Sequence, residues 1–163
     1  MGEYELLLAE ESGLINASVL RLHNVYGPPC EINEKYSQVV PALCKKAIDY
    51  PNKKFTVWGS GNQRRAFVYI DDVIEALMSS MKCGLGKGVI QIGPSNSISI
   101  AEIAKEIVKI SNKNINIQFD LSKPEGDMDR SADYTKAKYI LNWEPKTNII
   151  DGLKKTYEWI NKI

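Results

Sequence analysis

The spacing of apolar positions predicts a chain in which helices and strands alternate. Helical spacing or a capping signal predicts helices over residues 1–12, 38–50 and 71–81, from Ser99 onward, and over 133–142 and 149–160. Short apolar or alternating runs predict strands over residues 17–26, 55–58, 65–70, 89–92 and 115–119. Asp71, Ser99 and Asp133 are the predicted N-caps, and Ser99 with Glu102 has the spacing of a capping box. This order of elements predicts an α/β fold.

The apolar run from Ala17 to Tyr26 shows little alternation, which is typical of a strand buried on both faces of an α/β sheet. The elements that follow do not supply a set of βα units with similar two-sided apolar strands, so its parallel neighbours are expected to be missing. The pattern therefore predicts that the chain is truncated at its front.

Composition and charge exclude several classes of function. The chain has 163 residues, 44% hydrophobic and 25% charged, which is typical of a globular domain. A formal net charge of +1 creates no strong field for nucleic acid or an anionic membrane. No window approaches the ~18 apolar residues of a membrane span, and no signal-peptide layout is present. We expect a cytoplasmic protein with neither nucleic acid nor membrane as a partner.

The three cysteines, Cys30, Cys44 and Cys83, are odd in number and widely spaced. With His23 they form a metal site only in principle, because no two have the C-x2–4-C spacing of zinc ligands. Buried or free thiols and no metal are expected.

The residues alone define no catalytic set. The chain has a single histidine and no H-E-x-x-H, P-loop or early G-x-G-x-x-G motif. Gly59 and Gly61, followed by Gln63, Arg64 and Arg65, form either a plain turn or a phosphate-binding segment, because a guanidinium matches two phosphate oxygens at once. The pattern favours a binding half of a protein over a catalytic one.

Five strings of the sequence carry more information together than any one does alone. They are RLHNVYGP from Arg21, VVPALCKKAI from Val39, FTVWGSGNQRRAFVYIDDV from Phe55, IQIGPSNSISIAEI from Ile90 and KPEGDMDRSADYTKAKYILNWEP from Lys123. In this order and spacing they resemble the extended short-chain dehydrogenase/reductase family, and more narrowly its nucleotide-sugar epimerases and dehydratases, including the GDP-mannose and UDP-glucose types. The resemblance implies the C-terminal part of an extended Rossmann-type fold, with mixed small sheets and flanking helices.

The resemblance also implies a division of the chain. Residues 1–30 would be the last helix and strand of a Rossmann domain, and residues 31–163 the nucleotide-sugar-binding portion, with some elements packing back on the Rossmann sheet. The family carries its Gly-rich turn, its Ser/Thr and its Tyr-x-x-x-Lys pair in an N-terminal Rossmann domain, and the resemblance places that Lys a few positions before Met1. It implies no catalytic residue here, and NAD or NADP bound by full-length members but not by this chain alone.

By position, the resemblance implies cofactor and substrate contacts. Leu22, His23 and Val25 would lie against the nicotinamide end of NAD, with a half-buried strand residue as the alternative for His23. The implied substrate contacts are Asn24, Gln38, Val39, Val57, Trp58, Arg65, Lys123 and Arg130.

Among these, Arg65 matches the phosphate-binding Arg of the family. Ala66 stands where the family commonly has Asp, which predicts a looser hold on phosphate. Arg130, or else Lys123, would be a second phosphate contact, with a solvated loop charge as the alternative. Trp58 has a competing interpretation as a core residue.

The predicted function is the nucleotide-sugar-binding part of an NAD-dependent epimerase (an isomerase) or dehydratase (a lyase), inactive by itself. The alternative is a non-catalytic module of the same fold that binds nucleotide or protein, and an unrelated α+β domain is a third. A nucleotide-diphosphate sugar is the expected partner. We also expect a homo-oligomer, because a strand without neighbours exposes apolar side chains and unpaired backbone groups.

Overall fold

Helices and strands alternate along residues 2–33 and 35–163, the part of the chain that the computed structural model describes. The helices are α1 Gly2–Glu11, α2 Val39–Asp49, α3 Ile70–Cys83, α4 Ile100–Ser111, α5 Thr135–Leu141 and α6 Ile149–Ile160. The strands are β1 Val19–Leu22, β2 Asn24–Tyr26, β3 Thr56–Trp58, β4 Arg64–Arg65, β5 Phe67–Tyr69, β6 Val89–Ile92, β7 Ile98–Ser99, β8 Gln118–Asp120 and β9 Asp129–Arg130. The predicted α/β class, with small sheets and flanking helices, is confirmed.

Two predicted strands differ from the observed ones. The strand predicted over residues 65–70 is divided at Ala66, where β4 joins one sheet and β5 another. The strand predicted over residues 115–119 begins only at Gln118, and Ile115 lies before it with its side chain in the larger core. Met1, which the first predicted helix includes, lies outside the described residues.

The predicted caps have three different outcomes. The capping box is confirmed, since the Ser99 amide donates to Glu102 Oε2 (2.8 Å) and the Glu102 amide donates to Ser99 Oγ (3.1 Å). Asp71 is wrong as a cap: the N-cap of α3 is Tyr69, two residues earlier, and the Asp71 carboxylate lies in the first turn, where it complements the helix dipole. Asp133 accepts from the Thr135 amide (3.0 Å), although Tyr134 is the cap residue of α5.

The expected absence of parallel neighbours beside residues 17–26 is wrong. This segment forms two strands, β1 and β2, which pair in parallel with β6 and β5 respectively. Burial on both faces is also wrong, because Arg21 and Leu22 are exposed, Leu22 by 45%. The sequence pattern does not predict this pairing, since a long segment separates each strand from its partner.

Two apolar cores hold these elements together. The larger lies among α2, α4 and α6, and its most deeply buried large side chains are Val40, Phe55, Ile103, Ile107 and Leu153. The smaller lies among α3, α5 and β6, where the Trp143 indole donates to the Asp72 carbonyl (2.7 Å). The larger core positions the site, because α2 and β3 present their outer surfaces to one cavity.

Candidate functional site

A cavity of about 490 Å³ lies beside the N-terminal half of α2, within the volume range of small-molecule sites. Its lining residues come from β2, α2, β3, β4, α4 and the segments before α2 and after β8. They are Asn24, Ser37, Val39, Ala42, Leu43, Lys46, Thr56, Val57, Trp58, Gln63, Arg65, Ile100, Pro124 and Gly126. Five of the eight predicted substrate residues therefore line one cavity: Asn24, Val39, Val57, Trp58 and Arg65.

The alternation of strand β3 explains the different environments of Val57 and Trp58. Val57 is 1% exposed and belongs to the larger core, so the next side chain points the other way, and Trp58 is 57% exposed. The Lys123 ammonium lies 5.6 Å from the centre of the Trp58 ring, in cation–π geometry. The interpretation of Trp58 as a core residue is thus wrong, and its indole is available to a ligand.

The two arginines of β4 point to different surroundings, as expected for neighbours on a strand. Arg64 donates to the Ser97 carbonyl (2.6 Å) and pairs with Glu102 Oε2 (3.1 Å), which ties β4 to the start of α4. Arg65 lines the cavity, and its Nη1 donates to the carbonyls of Arg64 (2.7 Å) and Asp127 (2.5 Å).

The Arg65 guanidinium is therefore oriented by backbone carbonyls. Within the described residues both hydrogen bonds of the guanidinium are donated by Nη1, so Nε and Nη2 keep donor capacity for an anion. Ala66, which replaces the Asp that the family commonly has, is buried. The two carbonyls orient the guanidinium here, and a looser hold on phosphate stays a prediction.

The remaining three predicted substrate residues lie near the cavity without lining it. Gln38 is the exposed N-cap of α2 and makes no side-chain cap hydrogen bond, so the positive end of the α2 dipole lies at the cavity wall beside Val39. Lys123 covers the Trp58 ring. Arg130 is paired in register with Arg65, but its side chain is 64% exposed and lies 3.6 Å from Asp127 Oδ2.

The three predicted cofactor residues lie apart from the cavity lining. Leu22 is exposed, His23 Nε2 lies 3.3 Å from Gln91 Oε1, and Val25 packs against the smaller core. They lie at the end of β1 and the start of β2, where His23 and Val25 flank Asn24, which does line the cavity. Their contact with a cofactor stays a prediction.

The described residues do not by themselves fit NAD. A dinucleotide diphosphate needs a Gly-rich turn that leads from a strand into a helix N-terminus. The turn at Gly59 and Gly61 joins strands β3 and β4, and the turn at Gly84, Gly86 and Gly88 leads from helix α3 into strand β6. No reaction step through the cofactor follows from this chain.

The spacing Tyr-x-x-x-Lys occurs twice in the sequence, at Tyr50–Lys54 and at Tyr134–Lys138, outside the family position of the catalytic pair. Tyr50 is the C-cap of α2 and Lys54 lies beyond the helix, so no helix face joins them. Lys138 pairs with Glu144 (3.1 Å). None of the four lines the cavity, and neither pair is assigned a catalytic role.

Several lining residues escaped the sequence analysis. On α2, the spacing of Val39, Ala42 and Lys46 is that of one helix face and is a signal that would have identified this wall. Lys46 donates to the Thr56 carbonyl (2.6 Å) and so joins α2 to β3. Gln63 donates to the Trp58 carbonyl (3.3 Å), while its buried Oε1 has no hydrogen-bond partner. No local pattern predicts Pro124 or Gly126, because a distant loop brings them to the cavity.

The three cysteines are all free thiols. Burial raises the pKa of Cys44 to about 12 and also raises the pKa of Cys30, so both are protonated at neutral pH. Across residues 2–33 and 35–163, no three His, Cys, Asp or Glu side chains form a metal-binding group. In the same residues, no helix is long and apolar enough to cross a bilayer.

The parallel β1–β6 and β2–β5 pairs, with helices flanking them, define an α/β class of protein. The chain belongs to the NAD dependent epimerase/dehydratase family, whose model matches residues 1–93. It is 32% identical to GDP-mannose 3,5-epimerase 1 from Oryza sativa subsp. indica over 148 residues, which are 91% of this chain and 38% of that protein.

Two solved structures are similar in fold. UDP-glucose 4-epimerase from Thermotoga maritima, solved with UDP-glucose, has a TM-score of 0.87 and 31% identity, over 98% of this chain and 50% of that one. UDP-glucuronic acid 4-epimerase from Bacillus cereus, in complex with UDP-glucuronic acid and NAD, has a TM-score of 0.86 and 30% identity, over 99% and 50%. The chain thus spans half or less of the length of these relatives.

Proposed function

We propose that this chain is the nucleotide-sugar-binding part of an NAD-dependent epimerase or dehydratase. The observation that carries the proposal is the single cavity lined by Asn24, Val39, Val57, Trp58 and Arg65. Arg65 supplies charge-assisted hydrogen bonds to a diphosphate, and Trp58 supplies an exposed aromatic face for a base. The α2 dipole adds a favourable field for the same anion.

The organisation of the chain supports the same assignment. We propose that residues 1–30 belong to a Rossmann sheet and residues 31–163 to the substrate portion, with β5 and β6 returning to pair with β2 and β1. In that arrangement the present residues bind and orient the nucleotide sugar, which lowers the entropic cost of the reaction. Leu22, His23 and Val25 would lie at the end nearest the nicotinamide of NAD or NADP.

Calorimetric titration tests the proposed substrate class. UDP-glucose and GDP-mannose are expected to bind the chain measurably, and glucose 1-phosphate much more weakly, because it lacks the base and one phosphate. Equal affinity for all three compounds would reduce the site to a general anion site, and no binding by either nucleotide sugar at millimolar concentration would contradict the proposal.

The same chain is expected to show no measurable affinity for NAD. The strand–turn–helix that holds a dinucleotide diphosphate does not occur among the described residues, and neither Leu22 nor His23 lines the cavity. Calorimetry at millimolar NAD checks this expectation. Tight binding would contradict the division proposed above.

Self-association is expected for this chain. In the described residues β1 pairs on one edge only, and large apolar side chains of α1 and the following turn are exposed, including Leu6, Leu8 and Leu14. Light scattering at tens of micromolar should report a dimer or larger species. A strict monomer that also fails to bind a hydrophobic dye would contradict this expectation.

A further inference from the structure

Residues 123–127, which we call the strap, run along the cavity with alternating contacts. Pro124 and Gly126 line the cavity. The residues on either side of them contact the segment 58–65: Lys123 lies over the Trp58 ring, Glu125 accepts from the Ser60 amide, and the Asp127 carbonyl accepts from Arg65. This two-residue alternation is that of extended backbone, with one side toward the cavity and the other anchored.

The strap lies close to its neighbours at two glycines, where the nearest atoms belong to the Glu125 and Arg65 side chains. A Cβ at Gly59, where φ is +70°, would overlap the Glu125 carboxylate, and a Cβ at Gly126 would lie 2.9 Å from Arg65 Nη2. The strap therefore rests directly on the guanidinium that the proposed function assigns to phosphate.

Among the described residues, hydrogen bonds and one cation–π contact hold this segment in place. Every residue from 121 to 130 is exposed, and the apolar side chains at its ends, Leu121 and Met128, are 75% and 62% exposed. A segment with few buried apolar contacts opens at a small fraction of the free energy of global unfolding. Glu125 provides the charge-assisted anchor, and its hydrogen bonds from the Ser60 amide and hydroxyl lower the pKa of its carboxyl group.

We propose that the strap is a gate over the cavity and that Glu125 is the positioning residue that holds it closed on Ser60. A ligand diphosphate reaches Arg65 when the strap lifts, and closure then shields the ligand. The identity of the ligand rests on the proposed function, whereas the contact of Glu125 with Ser60 is independent of it.

Hydrogen exchange tests the anchor without any ligand. In Glu125→Ala, the Ser60 amide and the amides of residues 121–128 are expected to exchange on the order of tenfold or more faster, as loss of a charge-assisted hydrogen bond implies. Glu125→Gln should fall between wild type and Glu125→Ala, because an amide oxygen still accepts from Ser60. Asp129→Asn is the control, since it removes the same charge from an exposed position on β9, outside the strap. Unchanged exchange in Glu125→Ala would overturn the proposal.

Binding kinetics separate gating from simple repulsion. With UDP-glucose in stopped flow, a gate predicts that Glu125→Ala raises both the association and the dissociation rate. Relief of charge repulsion alone would raise the association rate and lower the dissociation rate, and Asp129→Asn would have the same effect. That result would contradict a gate. If wild-type chain bound no UDP-glucose, the proposed function would fail, and the exchange experiment would still decide whether Glu125 holds the strap.

Discussion

Replacing Arg65 with alanine is expected to weaken binding of UDP- and GDP-sugars by about ten- to a hundredfold, the value of roughly 1.5–3 kcal/mol for hydrogen bonds to a charged group. The reason is geometric. The guanidinium lines the cavity, two carbonyls fix its Nη1, and Nε and Nη2 remain for the diphosphate. Calorimetric titration of the variant against wild type measures the loss.

Arg64→Ala is the matched control for this prediction. Arg64 has the same charge one position away, but it is bound to Ser97 and Glu102 outside the cavity lining. Its removal should leave nucleotide-sugar affinity nearly unchanged. Equal losses of affinity in both variants would indicate a diffuse basic patch, and no loss in either would remove the phosphate role. A loss confined to Arg64→Ala would show that Arg64, and not Arg65, contacts the phosphate.

Gly152→Ala is expected to destabilise the fold by about 1–3 kcal/mol, the usual cost of an overpacked core position. Gly152 is buried on α6 against Tyr26, and a Cβ there would lie 2.7 Å from the Tyr26 Cζ and 2.9 Å from its Cε2. Tyr26 cannot move freely, since its ring packs edge-on against Phe67 and Tyr69. Alanine stabilises a helix by ~1 kcal/mol relative to glycine, which is less than the expected free-energy cost of this steric overlap.

Urea unfolding monitored by circular dichroism measures the effect. Gly2→Ala is a suitable control, because nothing lies within 4 Å of a Cβ built at Gly2. Adding Tyr26→Phe to Gly152→Ala should recover part of the stability, since the hydroxyl is among the atoms in the overlap. A net gain in stability from Gly152→Ala would show that Tyr26 yields, contrary to the packing described here.

Local signals in the sequence predicted helices well. The capping box of Ser99 and Glu102 is a contact between residues three apart, so its residue types are sufficient to identify the start of α4. Asp71 failed as a cap because the same residue type is also favourable in the first helical turn, and the sequence does not separate the two positions.

Strand pairing could not be predicted in the same way. The partners of β1 and β2 are β6 and β5, which follow in reversed order along the chain. Parallel pairing depends on tertiary contacts between distant segments. The apolar run at residues 17–26 indicates only that the segment is partly buried, and not which strands pair with it. The two-sided burial inferred from that run was wrong for this reason.

The same difference between local and tertiary information applies to the residues of the candidate site. Trp58 and Arg65 lie in one string of residues, so a family resemblance was sufficient to select them. The sequence placed Gln63 only in a weak turn signal, and its bond to the Trp58 carbonyl required the structure. Gly126 also required the structure, because a distant loop returns it to Arg65. The exposure of Arg130 is also a tertiary result, since its register beside Arg65 fixes its backbone but not its side chain.

The most direct test of the nucleotide-sugar site is a map of amide and indole NMR shifts on titration with UDP-glucose. We predict that the largest changes occur at Val39, at the Trp58 indole, at Arg65 and along the strap, with small changes at Lys154 and Lys155 on the far part of α6. Changes centred on α6, or none at millimolar ligand, would contradict the assignment of this cavity.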